Sequence, residues 1–464
     1  MECLSSGAMF GNFKDSFGYS NLNSTRLSKI SFESSLFNGI VLSYWDNIIG
    51  PRLGHLWLEG EDKCSEDSVE YVVTHTLNGE LTRQAPPNAV DTKFFIIKER
   101  GLVFSSYIFT GISKGAGETL YSLSLLLPFS ALKEYMQYQE LVDVRMKLLV
   151  AKFRVLQEKD LLTSIPNFSK HLPSLVAMVS SLHLHGLSNA FSVWDSAFAP
   201  GNSSCFNSSF LEKCITSHME TFGSTVVIGK TAEPVNLMIN TLVLFLSPEE
   251  RCQSRHVTID KNMEYEPDLF VQGILLKEDE SYELSSKKIL TSRFPTTVIH
   301  LEKEDVSQSS LFAEHCSTRH QFLNVELEYL WNDDEDAPVY PALGLFHNLK
   351  HESKMIGDML SDIQLLPAHD SIRLVYIENF KRLVRRKAVA VIKYIEDLSK
   401  FGTERMDSGG LQEVRQQLHL TKDGDFLIVL AAAEKLRPNI YMCAMGEGGQ
   451  NGTEAIIRNV LGFL

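Results

Sequence analysis

The sequence lacks an excess of basic residues, and it lacks a long apolar run. Its 464 residues include 44 lysines and arginines against 58 aspartates and glutamates, a net charge of −14 at pH 7. Nucleic-acid binding depends on a basic surface, so this balance argues against it. The most apolar stretch, VNLMINTLVLFLS, is interrupted by Asn236 and Asn240 and is shorter than the ~20 residues of a membrane helix. We therefore expect a buried helix there and no transmembrane segment.

Cysteine is also scarce. The seven cysteines are scattered and form no C-x-x-C pair, which predicts the reduced thiols of a cytoplasmic protein and neither a disulfide framework nor a structural zinc site. Residues 1–35 are rich in Ser and Asn and contain no apolar region of the signal-peptide type. Their low apolar content, without periodicity, predicts a disordered tail over residues 1–35.

No motif for nucleotide binding or hydrolysis is complete. The GKT sequence at 229–231 matches the end of a phosphate-binding P-loop, but Ser224 stands where the first glycine of that motif belongs. His183 and His185 could be two metal ligands, but no third ligand follows at a spacing typical of zinc sites. We therefore predict no catalytic residue, no metal and no cofactor.

The first folded block, residues 37–160, has the pattern of an antiparallel sheet with helices. FNGIVLSYW and RLGHLWL are two strands rich in β-branched and aromatic residues, joined by a turn from Asp46 to Pro51. A helix with acids in its first turn, three further strands and a long amphipathic helix follow. The order β-β-α-β-β-β-α predicts an α+β layer architecture.

Two more blocks follow, each after a segment with the composition of a linker. The first linker is predicted near residues 195–208, and the block behind it alternates helices and strands, as an α/β domain does. WNDDEDAPVYPALG predicts the second linker. The last block is mostly helical, and its clearest element is an amphipathic helix from Ile372 to Lys400. The sequence thus predicts a multi-domain α+β and α/β protein.

Long motifs along the chain occur in the order found in one protein family. They include YWDNIIGPRLGHLW, HTLNGEL, YSLSLLLP, FPTTVIHL, RKAVAVIKYIED and LTKDGDFLIVLAAAEKLRP. From about residue 37 to 441 the chain resembles the DENN-module family of the chromosome-nine open reading frame linked to amyotrophic lateral sclerosis and frontotemporal dementia. The resemblance implies that an N-terminal longin domain (36–194), a central α/β DENN domain (195–338) and a helical downstream DENN domain (339–464) follow the tail.

The resemblance also implies a function. DENN proteins commonly act as guanine nucleotide exchange factors for small GTPases of the Rab and Arf class, in membrane trafficking and autophagy, with no chemical active site of their own. It implies a complex with a second, larger DENN protein and a WD-repeat propeller protein. It further implies a cytoplasmic location with recruitment to lysosomes, endosomes or autophagic membranes by peripheral association. The alternative is a non-catalytic structural subunit of a GTPase-activating complex, whose arginine finger comes from the partner DENN protein.

Two groups of residues are candidates for interfaces. Trp45, Asp46 and Asn47 lie at a turn where an aromatic ring beside polar groups is typical of an interface hot spot, and Leu81 is a candidate apolar contact next to them. The alternative is that Trp45 packs under the following helix and that its two neighbours only make the turn. The cluster Arg385, Arg386 and Lys387 is a candidate for contact with a partner or an anionic membrane, or is a solvated helix face.

Overall fold

The computed structural model describes residues 27–32, 34–59, 64–78, 89–113, 117–187, 192–202, 205–258, 263–277, 282, 284–332, 345–349, 351–398 and 408–445. These residues belong to two compact units. The first unit runs to Tyr135 and also includes Met146–Ala177. The second unit comprises Met136–Arg145 and the described residues from Met178 onward.

The described residues form eleven strands and fourteen α-helices. The strands are β1 (Leu27–Lys29), β2 (Gly39–Asp46), β3 (Gly50–Leu58), β4 (Asp91–Ile97), β5 (Leu102–Ser113), β6 (Gly117–Pro128), β7 (Thr225–Gly229), β8 (Val271–Leu275), β9 (Thr297–His300), β10 (Asp305–Gln308) and β11 (His347–Asn348). The helices are α1 (Glu66–Leu77), α2 (Leu132–Lys159), α3 (Ser164–Ser169), α4 (Leu172–His185), α5 (Ser208–Glu220), α6 (Ala232–Leu242), α7 (Pro248–Cys252), α8 (Ser286–Thr291), α9 (Phe312–Asn332), α10 (Lys354–Leu365), α11 (Asp370–Leu398), α12 (Ser408–Gln417), α13 (Asp423–Leu436) and α14 (Ile440–Met445).

The first unit is built on a six-stranded sheet in the order β1-β3-β2-β6-β5-β4. All its pairs are antiparallel except β1 with β3. Helix α1 begins at its N-cap Ser65, whose hydroxyl accepts from the Ser68 amide, and it buries Val69, Val72 and Val73 in the same core cluster as residues of β2, β3 and β5. The predicted order β-β-α-β-β-β-α is confirmed from β2 to α2.

The short strand β1 corrects the prediction of a tail over residues 1–35. Leu27–Lys29 pair with Leu56, Trp57 and Leu58 of β3, and Phe32 is fully buried. Residues 1–26 lie outside the described part of the chain. A three-residue strand is too short for hydrophobic periodicity to reveal it, and its pairing partner lies far along the sequence.

The second unit contains a five-stranded sheet in the order β11-β10-β9-β7-β8. Strand β7 lies between β9 and β8 and pairs in parallel with both, and all five of its residues are buried. Helix α6 buries an apolar face, while the side chain of Asn236 donates to the Val257 carbonyl at 3.0 Å. The predicted α/β pattern and the predicted buried helix are both confirmed, and the polar side of α6 forms hydrogen bonds to neighbouring segments.

The prediction of a linker near residues 195–208 is wrong, because part of this segment is packed in the core. Ala197 and Phe198 are buried in the core of the second unit. The Ala197 amide donates to Thr241 Oγ1 at 2.9 Å, and the guanidinium of Arg373 donates to the Phe198 carbonyl. Serine and glycine made this segment resemble a linker, but two apolar residues within it are enough to fix it in the core. Of the second predicted linker, residues 333–344 lie outside the described part of the chain.

Candidate functional site

The turn between β2 and β3, which we call the hairpin tip (residues 45–50), closes through one carboxylate. Asp46 Oδ1 accepts hydrogen bonds from the amides of Ile48 at 2.8 Å and Ile49 at 3.1 Å. These two bonds are the main cause that lowers the pKa of Asp46, so the carboxylate is ionised at neutral pH. Gly50 completes the turn with φ +91°, a backbone conformation that favours glycine.

The hairpin tip presents apolar side chains to solvent. Ile48 is 94% exposed and Ile49 is 49% exposed. Asn47, which precedes them, is also exposed. Single exposed apolar residues are common, but two adjacent isoleucines at a tight turn, next to a tryptophan, make an apolar projection. Trp45, Asp46 and Asn47 were candidates from the sequence alone, whereas the two isoleucines were not. The sequence signal that could have revealed the isoleucines is their position in a turn, because small and polar residues usually occupy turns.

The two tryptophans of this hairpin have different surroundings. Trp57 is fully buried, its Nε1 donates to Ser169 Oγ at 2.8 Å, and its ring packs against Phe168. Trp45 is only half-buried, and its carbonyl accepts from Thr119 Oγ1 at 2.7 Å. Trp57 therefore belongs to the core, whereas the ring of Trp45 retains surface that a partner can contact. Asp46 makes the turn, as the structural alternative expects, and the interface role of Trp45 stays a prediction.

The last candidate of this group, Leu81, lies outside the described residues. Helix α1 ends at Leu77, and its C-cap residue is Asn78.

The three basic candidates on α11 are not equivalent. Arg385 and Arg386 are exposed, whereas Lys387 is half-buried. Lys387 Nζ donates to the Leu418 carbonyl at 2.6 Å, just beyond the C-terminus of α12, where a cation is favoured by the helix dipole. Lys387 thus ties α12 to α11. Arg385 lines a cavity of the second unit, and Arg386 does not.

The incomplete chemical motifs have ordinary structural surroundings. The GKT sequence begins at Gly229, the last residue of β7. The Lys230 amide donates to Glu302 Oε1 at 2.5 Å, so a carboxylate already accepts from this backbone donor. His183 and His185 lie in the last turn of α4. Within the described ranges, no cluster of three or more His, Cys, Asp or Glu side chains has a geometry that could hold a metal ion. No helix in the described part of the chain is long and apolar enough to cross a membrane.

Comparison with known proteins gives matches along most of the chain. The model of the C9orf72-like protein family matches residues 71–315. The proteins named guanine nucleotide exchange factor C9orf72 homolog of Rattus norvegicus and of Mus musculus are each 30% identical to this chain, in a match that covers 90% of this chain and 93% of theirs. The Homo sapiens protein named guanine nucleotide exchange factor C9orf72 is 30% identical, in a match that covers 87% of this chain and 90% of its own.

Proposed function

Because this chain belongs to the C9orf72-like protein family, we propose that it regulates small GTPases as a guanine nucleotide exchange factor. The observation that carries the proposal is the similarity over 90% of the chain to relatives that bear this name. Exchange needs no covalent chemistry, because switch segments are ordered by contacts with phosphate and Mg²⁺ that a bound protein can displace. Residues that bind and displace these segments are therefore sufficient.

The finer assignments rest on the resemblance of the motifs. The substrate is a GTPase of the Rab or Arf class, in membrane trafficking and autophagy. The chain comprises a longin domain at 36–194, a central DENN domain at 195–338 and a downstream DENN domain at 339–464. The antiparallel sheet with α1 and α2 supports the longin assignment, and the five-stranded sheet followed by helices supports the two DENN assignments.

The GTPase contact is placed at the hairpin tip. Ile48 and Ile49 supply exposed apolar surface, Trp45 supplies a half-buried ring, and Asp46 supplies a fixed negative charge. Interface hot spots combine a large side chain with surrounding residues that exclude water. The two hydrogen bonds that Asp46 Oδ1 accepts hold the turn in one conformation, so little conformational entropy is lost when a partner binds. Leu81 and Asn47 complete the proposed contact.

A second contact, with a larger DENN protein, is placed on the outer face of α11. Leu383 and Val389 are exposed apolar residues on either side of Arg386, each three positions away, so the three side chains share one face of the helix. Arg385 borders this face, and Lys387 links α11 to the end of α12 by donating to the Leu418 carbonyl. We place the chain with that partner and a WD-repeat propeller protein in the cytoplasm, recruited to lysosomes and autophagic or endosomal membranes.

The direct test measures release of a fluorescent GDP analogue from purified Rab and Arf GTPases by the full chain. The wild-type chain should accelerate release from at least one GTPase. Ile48→Asp, and the double variant Trp45→Gly with Asp46→Lys, should lose most of the acceleration, because removal of a hot-spot residue typically costs ~2 kcal/mol or more of binding. Leu162→Asp is the matched control, since Leu162 is 68% exposed in the same unit but lies outside the tip.

The outcome separates three cases. Lost exchange in the tip variants, with an unchanged melting temperature and an active Leu162→Asp control, supports both the exchange function and its site. Full activity in the tip variants refutes the site alone. In the third case, the wild-type chain does not accelerate nucleotide release from any GTPase, but its complex purified from cells stimulates GTP hydrolysis, and Ile48→Asp abolishes that stimulation. The chain is then the structural subunit of an activating complex. Mass spectrometry of stoichiometric partners in that purification tests the DENN and WD-repeat assignments.

A further inference from the structure

The second unit contains a cavity of about 340 Å³ among α5, α11, α13 and the segments that follow α5 and α6. Its volume lies within the ~300–1,000 Å³ range of small-molecule sites. Most of the lining side chains are apolar, among them Phe222 after α5, Phe245 after α6, Val384 on α11 and Ile428 on α13. These four residues are also members of the unit's buried core, so the cavity is a recess of that core and not a groove on a loop.

One wall of the cavity is held by an uncommon backbone conformation. Phe222 has φ +60° and Gly223 has φ +89° in the turn after α5. A positive φ is costly for a bulky residue such as phenylalanine, and such positions persist where surrounding packing fixes them. The Phe222 ring stacks on Phe294 at 4.7 Å between ring centres, and a side chain at Gly223 would meet Leu246. The recess is therefore preformed, and it does not depend on a flexible wall.

The polar lining of the cavity is cationic in a chain whose net charge is −14. Lys381, Arg385 and Lys435 line it, against the single acid Glu250. Lys435 Nζ pairs with Glu250 at 2.6 Å, and Lys381 Nζ pairs at 2.7 Å with Glu378, which is outside the lining. Among the residues that the structure describes, Arg385 has no such carboxylate. Its guanidinium is thus the positive charge available to a ligand.

The remaining ionisable group of the lining is uncharged. His218 is fully buried, and its Nδ1 is within hydrogen-bond distance of Thr225 Oγ1 at 2.9 Å. Burial is the main cause that lowers the pKa of His218 to about 3, so the ring is neutral at physiological pH. His218 therefore adds no charge to the interior, and the positive charge without a carboxylate partner among the described residues is that of the exposed Arg385.

We propose that this cavity binds a small amphiphilic anion, with an apolar chain in the recess and one carboxylate or phosphate group on the guanidinium of Arg385. Arginine suits both headgroups, because its planar fork donates two parallel hydrogen bonds to either one. Such binding is separate from GTPase engagement, since no residue of the hairpin tip lines the cavity. It adds a small-molecule input to the chain's proposed regulatory role.

The test is isothermal titration calorimetry of the full chain with decanoate and with decyl phosphate, below their micelle concentrations. Decanol and inorganic phosphate represent the apolar and anionic halves alone. We expect saturable binding of one molecule per chain, with each half at least ~10-fold weaker than the better amphiphile, because apolar and ionic contacts are both needed. Either headgroup supports the proposal, and the tighter one identifies the source of the anion.

Two variants locate the site. Arg385→Glu should weaken binding by about tenfold or more, whereas the neighbouring Arg386→Glu, with the same change of charge, should change it less than about twofold. Ala432→Phe fills the recess from a half-buried lining position and should abolish binding. Absence of saturable binding to the wild type overturns the proposal, as does an equal loss in the two arginine variants. Unchanged binding in an Ala432→Phe variant that keeps the wild-type melting temperature also overturns the proposal.

Discussion

The two sheets of this protein are covered to different extents. In the first unit, β2 is buried over its first five residues and half-exposed over its last three, where it continues into the hairpin tip. In the second unit, β7 is buried at every residue. An antiparallel hairpin can extend past the helices that cover a sheet, whereas a parallel strand between two others is usually covered on both faces.

This difference determines where each unit can present a binding site. The site proposed for the first unit lies at the end of a strand pair, where side chains project from a fixed turn. The second unit has no comparable projection in its described parallel strands, and its cavity lies among helices beside the sheet. Where helices cover a sheet, a ligand can bind only in recesses between the helices. Where a hairpin extends past the helices, its turn can contact a partner.

The largest expected effect tests the covered core of the second unit. Val391 on α11 is 0% exposed and Val389, two residues away, is 55% exposed. Val391→Asp buries an unpaired charge and should lower the free energy of unfolding by about 4 kcal/mol or more. Val389→Asp is the matched control and should leave the melting temperature within a few degrees. Equal melting of the two variants in differential scanning calorimetry would contradict the assigned helix face.

The next effect contrasts the two ends of the first sheet. Trp57→Ala removes a fully buried ring and leaves Ser169 Oγ without its indole donor, so we expect a loss of ~3–5 kcal/mol of stability. Trp45→Ala should cost much less stability, because Trp45 is half-buried, and should instead weaken GTPase engagement. Urea denaturation of both variants checks the first statement. Equal losses would show that the hairpin tip belongs to the core.

The smallest effect compares one buried histidine in each unit. Burial is the main cause that lowers the pKa of His55 to about 4 and that of His218 to about 3, both below the ordinary 6.5. The unfolded chain therefore binds more protons as pH falls below about 6.5, and each histidine then reduces stability. Between pH 7 and pH 5 each should account for about 2 kcal/mol of lost stability.

Denaturation of His55→Gln and His218→Gln at both pH values checks this comparison. Each variant should lose about 2 kcal/mol less than the wild type between pH 7 and pH 5, because glutamine does not titrate. Comparison with the wild type isolates each histidine from buried carboxyls such as Glu266, whose raised pKa acts in the opposite direction. A pH dependence unchanged by either substitution would show that the histidine titrates equally in the folded and unfolded chain.

Periodicity in the sequence predicted the main elements of both units. The β-branched and aromatic composition of β2 and β3 and the apolar content of α6 are local signals, and the predicted strands and buried helix were confirmed. The family predicted from the long motifs is confirmed by the match over residues 71–315 and by the relatives. What failed was decided by contacts between distant segments. Strand β1 depends on β3, and the segment around Phe198 depends on contacts with α6 and α11.

The candidate sites were less predictable than the fold. Trp45 and Asp46 were named from the composition of one turn, but the nearly complete exposure of Ile48 follows from the loop geometry that Asp46 imposes. The cavity could not be predicted, because its walls come from segments that are distant in the sequence, as Phe222 and Ile428 are. Nothing in the sequence near Arg385 distinguishes it from Arg386. Only the packing of α11 against α13 separates the two.

The three residues of β1 also cover backbone groups at one edge of the first sheet. The Ile30 amide donates to the Leu58 carbonyl at 3.0 Å, and Leu27–Lys29 occupy the hydrogen-bonding side of β3 that faces away from β2. Without them, Leu56, Trp57 and Leu58 of β3 would become an open edge with unpaired backbone groups. Such an edge is a template for strands of other molecules and a common origin of aggregation. Loss of residues 27–30 would therefore expose this edge of the sheet to self-association, even though every other element of the unit remained in place.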